Sequence, residues 1–188
     1  MKLKILVVAV LSVLGSSLAA QERNFEKGKF IVGINGSGGY GKGSFSTNYN
    51  LSVSPWVGYF VAKNLAAGVR LSYGENALEA KNGSNAISEF KNHSVAPELF
   101  VRYYAPKIKI KPFVQVGGGY RFLKGTVPDL AFGKLKASNM IGSVEGGILF
   151  PIGKRFAIEP SYNFRFQSSK SINSSEKGTL RLGVSYRF

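Results

Sequence analysis

Eight stretches of this chain alternate apolar and polar residues with a period of two, and nothing of comparable length after residue 20 has a helical period. They run approximately Lys29–Tyr40, Tyr49–Val61, Leu65–Gly74, His93–Tyr104, Pro112–Lys124, Ala137–Phe150, Phe156–Gln167 and Gly178–Phe188. The last is the plainest. In TLRLGVSYRF, Leu180, Leu182, Val184, Tyr186 and Phe188 take every second position, with Arg181, Gly183, Ser185 and Arg187 between them. Successive side chains of a strand leave opposite faces, so each stretch predicts a strand with one apolar and one polar side. The 23 glycines and the 13% of aromatic residues favour sheet over helix.

The connections alternate in kind. Ala62–Asn64, Ala105–Lys111 and Pro151–Arg155 are tight, whereas Glu75–Asn92 and Gly125–Lys136 are long and polar. Short turns at one end and long loops at the other suit an all-β, eight-stranded, antiparallel up-and-down transmembrane β-barrel. An even strand count places both termini at the short-turn end. Tyr59-Phe60, Tyr103-Tyr104, Phe150, Tyr186 and Phe188 flank the short turns and are expected to form an aromatic girdle at one membrane interface. Pro55, Pro97 and Pro160 fall inside strands, where a closed barrel has no edge to host them; bulges are the expected accommodation.

The contents of the two faces decide which meets lipid. One side carries Val57, Tyr59, Val69, Leu71, Leu99, Val101, Ile158 and Phe164; the other carries serine, glycine and charge. A soluble barrel would spread lysine over its outside, but lysine here crowds the connections, as at Lys63, Lys107, Lys109, Lys154 and Lys170. The apolar face is therefore expected outside and the small residues inside. That leaves Arg70, Glu98, Arg102, Arg121, Glu145, Glu159, Arg165 and Arg181 in a narrow lumen. Buried charge is costly unless paired, so these residues are expected to neutralise one another as a plugging network. An ion path is the alternative.

The N-terminus supports export. Lys2 and Lys4 precede an apolar run from Ile5 to Leu14 and a small-residue region ending at Ala20, the order of a signal peptide. Residues 1–20 are assigned to it, with cleavage after Ala19 or Ala20, and residues 21–188 to the barrel. The formal charge of +15 suits nucleic acid or a membrane surface. An exported chain without a nucleic-acid module points to the membrane. The chain has no cysteine.

Catalytic chemistry finds little support. His93, the single histidine, adjoins Ser94, but neighbours on a strand face opposite ways. Asp129 is the sole aspartate and falls in a long connection. Gly117-Gly118-Gly119 lies mid-strand without a following helix, so it makes room for a neighbour or permits curvature rather than cradling phosphate. No catalytic, cofactor-binding or metal-binding residue is assigned, and an enzyme is not expected.

SPWVGYFVAKNLAAGVRL, FVRYYAPKIKIKPFVQVGGGYRF and GILFPIGKRFAIEPSYNFRF resemble the bacterial outer-membrane β-barrel domain family, in its porin-like and OmpA/OmpX-type group, from about Phe30 to Phe188. The style of the turns is most similar to that of Bacteroidetes members. The resemblance implies a monomer in the outer membrane of a Gram-negative cell, in contact with lipid including lipopolysaccharide, with a structural or surface-interaction role. A narrow pore and a lipid-modifying enzyme are the alternatives it leaves. It also implies that Tyr186 and Phe188 form a terminal signal read by the outer-membrane assembly machinery.

Overall fold

The computed structural model describes residues 25–42, 46–82, 86–106, 110–126, 134–168 and 177–188. The proposed signal segment lies outside these residues, as does Asp129. Eight strands form one closed antiparallel barrel in sequence order: β1 (Phe30–Lys42), β2 (Ser46–Ala62), β3 (Leu65–Asn82), β4 (Ala86–Tyr104), β5 (Lys111–Thr126), β6 (Lys134–Ile152), β7 (Phe156–Ser168) and β8 (Lys177–Arg187). The terminal strand is ordered because β1 takes it: Ile31 to Gly36 pair with Arg187 to Leu182, and the amide of Phe188 donates to the Phe30 carbonyl. Over these six pairs the closing ladder leaves no open edge.

The strands outrun their alternating segments at the long-loop end. β3 and β4 stay in ladder as far as Asn82 and Ala86, so most of the expected Glu75–Asn92 loop is hairpin. The 18 residues of β3 exceed the ~9–11 that a tilted strand needs to cross a bilayer. Beyond the apolar band both faces of a strand meet polar surroundings, so the alternation fades while the backbone pairing continues.

The short-turn end is set locally. Lys63 and Asn64 join β2 to β3, with Asn64 at φ 62°, a left-handed conformation that asparagine tolerates better than most side chains. Gly153, at φ 67°, opens the turn between β6 and β7.

The prolines are held without the expected bulges. Pro55 stays opposite Ile34, Pro97 opposite Leu71 and Pro160 opposite Leu182. On its other side each lies in a gap in the ladder, across which the register continues unshifted. Proline lacks one donor, so a one-sided gap suffices. The one register shift in these ladders is at Phe60/Ala62, beside the first turn.

The girdle also needs correction. Tyr59 and Tyr103 are exposed on the outer wall, as is Phe188, whereas Phe60 and Tyr104 are fully buried inside. Adjacent strand residues face opposite ways, so each pair contributes one ring to each side. The apolar wall itself is as expected: Val57, Val69, Leu71, Leu99, Val101, Ile158 and Phe164 are all exposed outward.

Candidate functional site in the barrel lumen

The lumen is built in tiers. At the short-turn mouth, Phe25 precedes β1 and tucks beneath the barrel, its carbonyl accepting from the Asn64 amide. Its ring meets Phe60 edge-on at 5.6 Å and Tyr104 at 5.0 Å. The Arg187 guanidinium lies 4.9 Å from the Phe25 ring centre and the Lys111 ammonium 5.4 Å from it. This apolar floor closes the mouth.

Above it, Arg102 is held between two aromatic rings and through its Nε and Nη1. Its guanidinium lies 4.2 Å from the ring centres of both Trp56 and Phe113. Its Nη1 donates to Glu159 Oε2 at 2.7 Å and to the Tyr104 hydroxyl at 3.1 Å, and its Nε donates to Gln115 Oε1 at 2.8 Å. Glu159 also accepts from Ser185, and Trp56 Nε1 donates to Asn35. Gly33 and Gly147 let the rings fit. A Cβ on Gly33 would stand 2.5 Å from the Trp56 indole, and one on Gly147 would stand 2.5 Å from Phe113.

The next tier centres on Glu145, whose Oε2 accepts from Arg70 at 2.7 Å, Asn163 at 3.3 Å and Arg181 at 3.5 Å. Over that lies Glu98, held by Arg165 at 2.6 Å, Ser143 at 3.1 Å and Ser72 at 3.2 Å. The uppermost charged group is Arg121, which reaches only Ser94, at 3.4 Å.

All eight charged residues assigned to the lumen therefore point into it, and seven of them join ion pairs. Arg121 has no carboxylate partner among the described residues. Full mutual neutralisation does not occur. With Arg187 added, six arginines face three glutamates, and aromatic faces take up part of the excess at Arg102 and Arg187.

Sequence reasoning missed the aromatic half of the lumen. Trp56, Phe60, Phe100, Tyr104 and Phe113 are buried inside, in phase with Ser54, Arg102 and Gln115. Parity alone would have placed them there. The Gly117–Gly119 run does make room: a Cβ on Gly119 would collide with the Pro97 carbonyl, and one on Gly117 would crowd Leu99 and Phe100.

On the outer wall, His93 is exposed and Ser94 is buried, so the two do not meet. His93 Nδ1 instead lies 3.1 Å from the Tyr73 hydroxyl and 4.0 Å from Glu75.

A closed barrel with an apolar outside and a charged, filled inside now has relatives to be compared with. The profile of the outer membrane protein beta-barrel domain matches residues 6–188. The chain belongs to that family. No curated protein sequence matches it significantly. Among solved structures, the N-terminal β-barrel domain of Pseudomonas aeruginosa OprF matches with TM-score 0.54 at 17% identity, covering 86% of this chain and 98% of that one. A major outer membrane protein of Thermus thermophilus matches with TM-score 0.53 at 18% identity, covering 87% and 100%. Neisserial surface protein A matches with TM-score 0.50 at 16% identity, covering 86% and 100%. At these identities the likeness is one of fold. The family is one of outer-membrane proteins, and the Thermus neighbour is itself a major outer membrane protein.

Proposed function

We propose that this outer-membrane barrel is a non-conducting structural or surface-interaction protein, its long-loop end outside the cell and its short-turn end in the periplasm. The observation that carries this reading is the stacked lumen. An eight-stranded barrel has room inside for little beyond its own side chains, and here Phe25, Phe60 and Tyr104 close one mouth beneath three glutamates each paired to arginine. Function then falls to the outer wall and the long-loop end, where contacts with lipid, lipopolysaccharide included, and with surface partners occur.

The same reading assigns Tyr186 and Phe188 to recognition by the assembly machinery. Their rings stack edge-on at 4.9 Å on the outer wall, and β8 must be accepted by another edge before β1 seals it. Planar-bilayer recording of the refolded chain tests the main proposal. Isolated insertions without steady conductance are expected, and a steady unitary current abolished by substitution of Arg102 or Glu159 would replace the plug with a pore.

A further inference from the structure

We infer that the upper lumen, on the side of Glu98 away from the Phe25 floor, holds a binding site for a small divalent oxyanion of the phosphate or sulfate kind, centred on Arg121. Charge sets the requirement. In the two upper tiers Arg70 and Arg181 share Glu145, Arg165 takes Glu98, and Arg121 has no carboxylate among the described residues. Four arginines therefore face two glutamates there, an excess of two positive charges. Lower down, aromatic faces offset the excess at Arg102 and Arg187, but among the described residues no ring lies under Arg121, Arg165 or Arg181. Water can satisfy a buried donor, but only an anion cancels its charge.

Geometry supplies the donors. Arg121 Nη2 reaches only the Ser94 hydroxyl, at 3.4 Å, and its Nε is buried without a hydrogen-bond partner. Those two N–H groups share one edge of the guanidinium, the fork that takes two oxygens of one anion. Arg165 comes in from β7, its Nη2 donating to Glu98 at 2.6 Å and to Ser72 at 3.4 Å, and its Nε is likewise buried and unpartnered. Ser94 stands opposite Gly74, two positions along β3 from Ser72, so the two serine Cα atoms lie roughly 8 Å apart. Both guanidiniums are thus held over neighbouring hydroxyls, close enough for one tetrahedral anion to bridge them.

The lining leaves room. Trp56, Phe60, Phe100, Tyr104 and Phe113 fill the lower lumen, but at the height of Ser94 the inward row reads Ser37, Ser52, Gly74 and Ser94, each opposite the next across β1 to β4. The Arg165 side chain is 22% exposed, so solvent reaches this tier. The site lies inside the barrel wall, and its ligand therefore arrives from water rather than from lipid. Two charges match the excess, and more than two oxygens are needed to meet both guanidiniums and the hydroxyls beside them, which favours a tetrahedral dianion over a carboxylate or a halide.

The inference adds a ligand to the plugged lumen and does not depend on whether the barrel conducts. The test is calorimetric titration of the full barrel, refolded in uncharged detergent, with inorganic phosphate and with sulfate, chloride holding the ionic strength constant. Both should bind wild type, and Arg121→Gln should bind them roughly tenfold or more weakly, as loss of a charge-assisted fork implies. Arg121→Lys, which keeps the charge but not the fork, should fall between the two, and Lys63→Gln at the opposite end should match wild type. Saturating phosphate should raise the urea midpoint of wild type and not that of Arg121→Gln. In chloride alone Arg121→Gln should unfold no earlier than wild type, because no carboxylate loses a partner. Absence of phosphate binding by wild type, equal affinity of wild type and Arg121→Gln, or equal stabilisation by chloride would each overturn the site. So would an Arg121→Gln midpoint well below wild type in chloride, which would make Arg121 a structural residue already matched within the chain.

Discussion

Replacing Glu145 with glutamine removes one charge and almost no volume, so it isolates the electrostatic role of the middle tier. Glu145 and Arg70 are paired at 2.7 Å with both side chains fully buried, and Arg181 is 3.5 Å away with its side chain 4% exposed. The variant would leave two guanidinium groups inside the barrel with no carboxylate in their tier. Breaking a buried pair in this way costs ~3–5 kcal/mol. With a urea dependence of about 1–3 kcal/mol per molar, the unfolding midpoint should fall by at least ~1 M. Glu75→Gln is the control. It disrupts a pair with His93 whose side chains are 35% and 45% exposed, worth ~0–1 kcal/mol. Trp56, the single tryptophan, lies within the lumen, so its fluorescence follows unfolding of the relevant region directly. Indistinguishable midpoints for Glu145→Gln and Glu75→Gln would refute the claim that the lumenal glutamates are withdrawn from water and paired.

Arg102→Met and Glu159→Gln should each lower stability by ~3–5 kcal/mol, while the double variant loses less than the sum by ~0.5–3 kcal/mol; strict additivity in urea titrations would contradict their pairing. Gly33→Ala should cost ~1–3 kcal/mol through overpacking against the Trp56 indole and shift the tryptophan emission, so a silent substitution would mean the ring lies elsewhere. Deleting Phe188 should cost about 1–3 kcal/mol in detergent refolding, as loss of one large apolar side chain, yet reduce outer-membrane yield in cells far more. Parallel losses in the two assays would reduce Phe188 to ordinary packing.

The strand count and eight of the nine lumenal charges, all but Arg187, were legible because the membrane-spanning part of each strand separates its two faces by polarity; the order of tight and long connections was not, since three residues separate β3 from β4 and six separate β4 from β5. Where that separation lapses, legibility lapses too. Glu75 to Asn92 reads as loop because polar residues there occupy both faces, although backbone pairing carries on. The inward aromatics were obscured for the opposite reason. Phe60 and Tyr104 are large and apolar, and polarity alone sends them to lipid, but position in the alternation sends them inside. Phe25 precedes any periodic segment, so nothing local marks it as the floor. The prolines posed a question only coordinates answer: Pro55, Pro97 and Pro160 each lie beside a gap on one side of the ladder without moving the register.

The central claim is that the wall carrying Leu99 faces lipid and the wall carrying Trp56 faces inward. Quenching of tryptophan fluorescence by brominated acyl chains tests it most directly, comparing wild type with a Trp56→Phe/Leu99→Trp variant in the same vesicles. Leu99 is 69% exposed on the outer wall and Trp56 only 5%, so the account predicts strong quenching of tryptophan at position 99 and weak quenching of Trp56. The reverse order, or equal quenching of both, would contradict it.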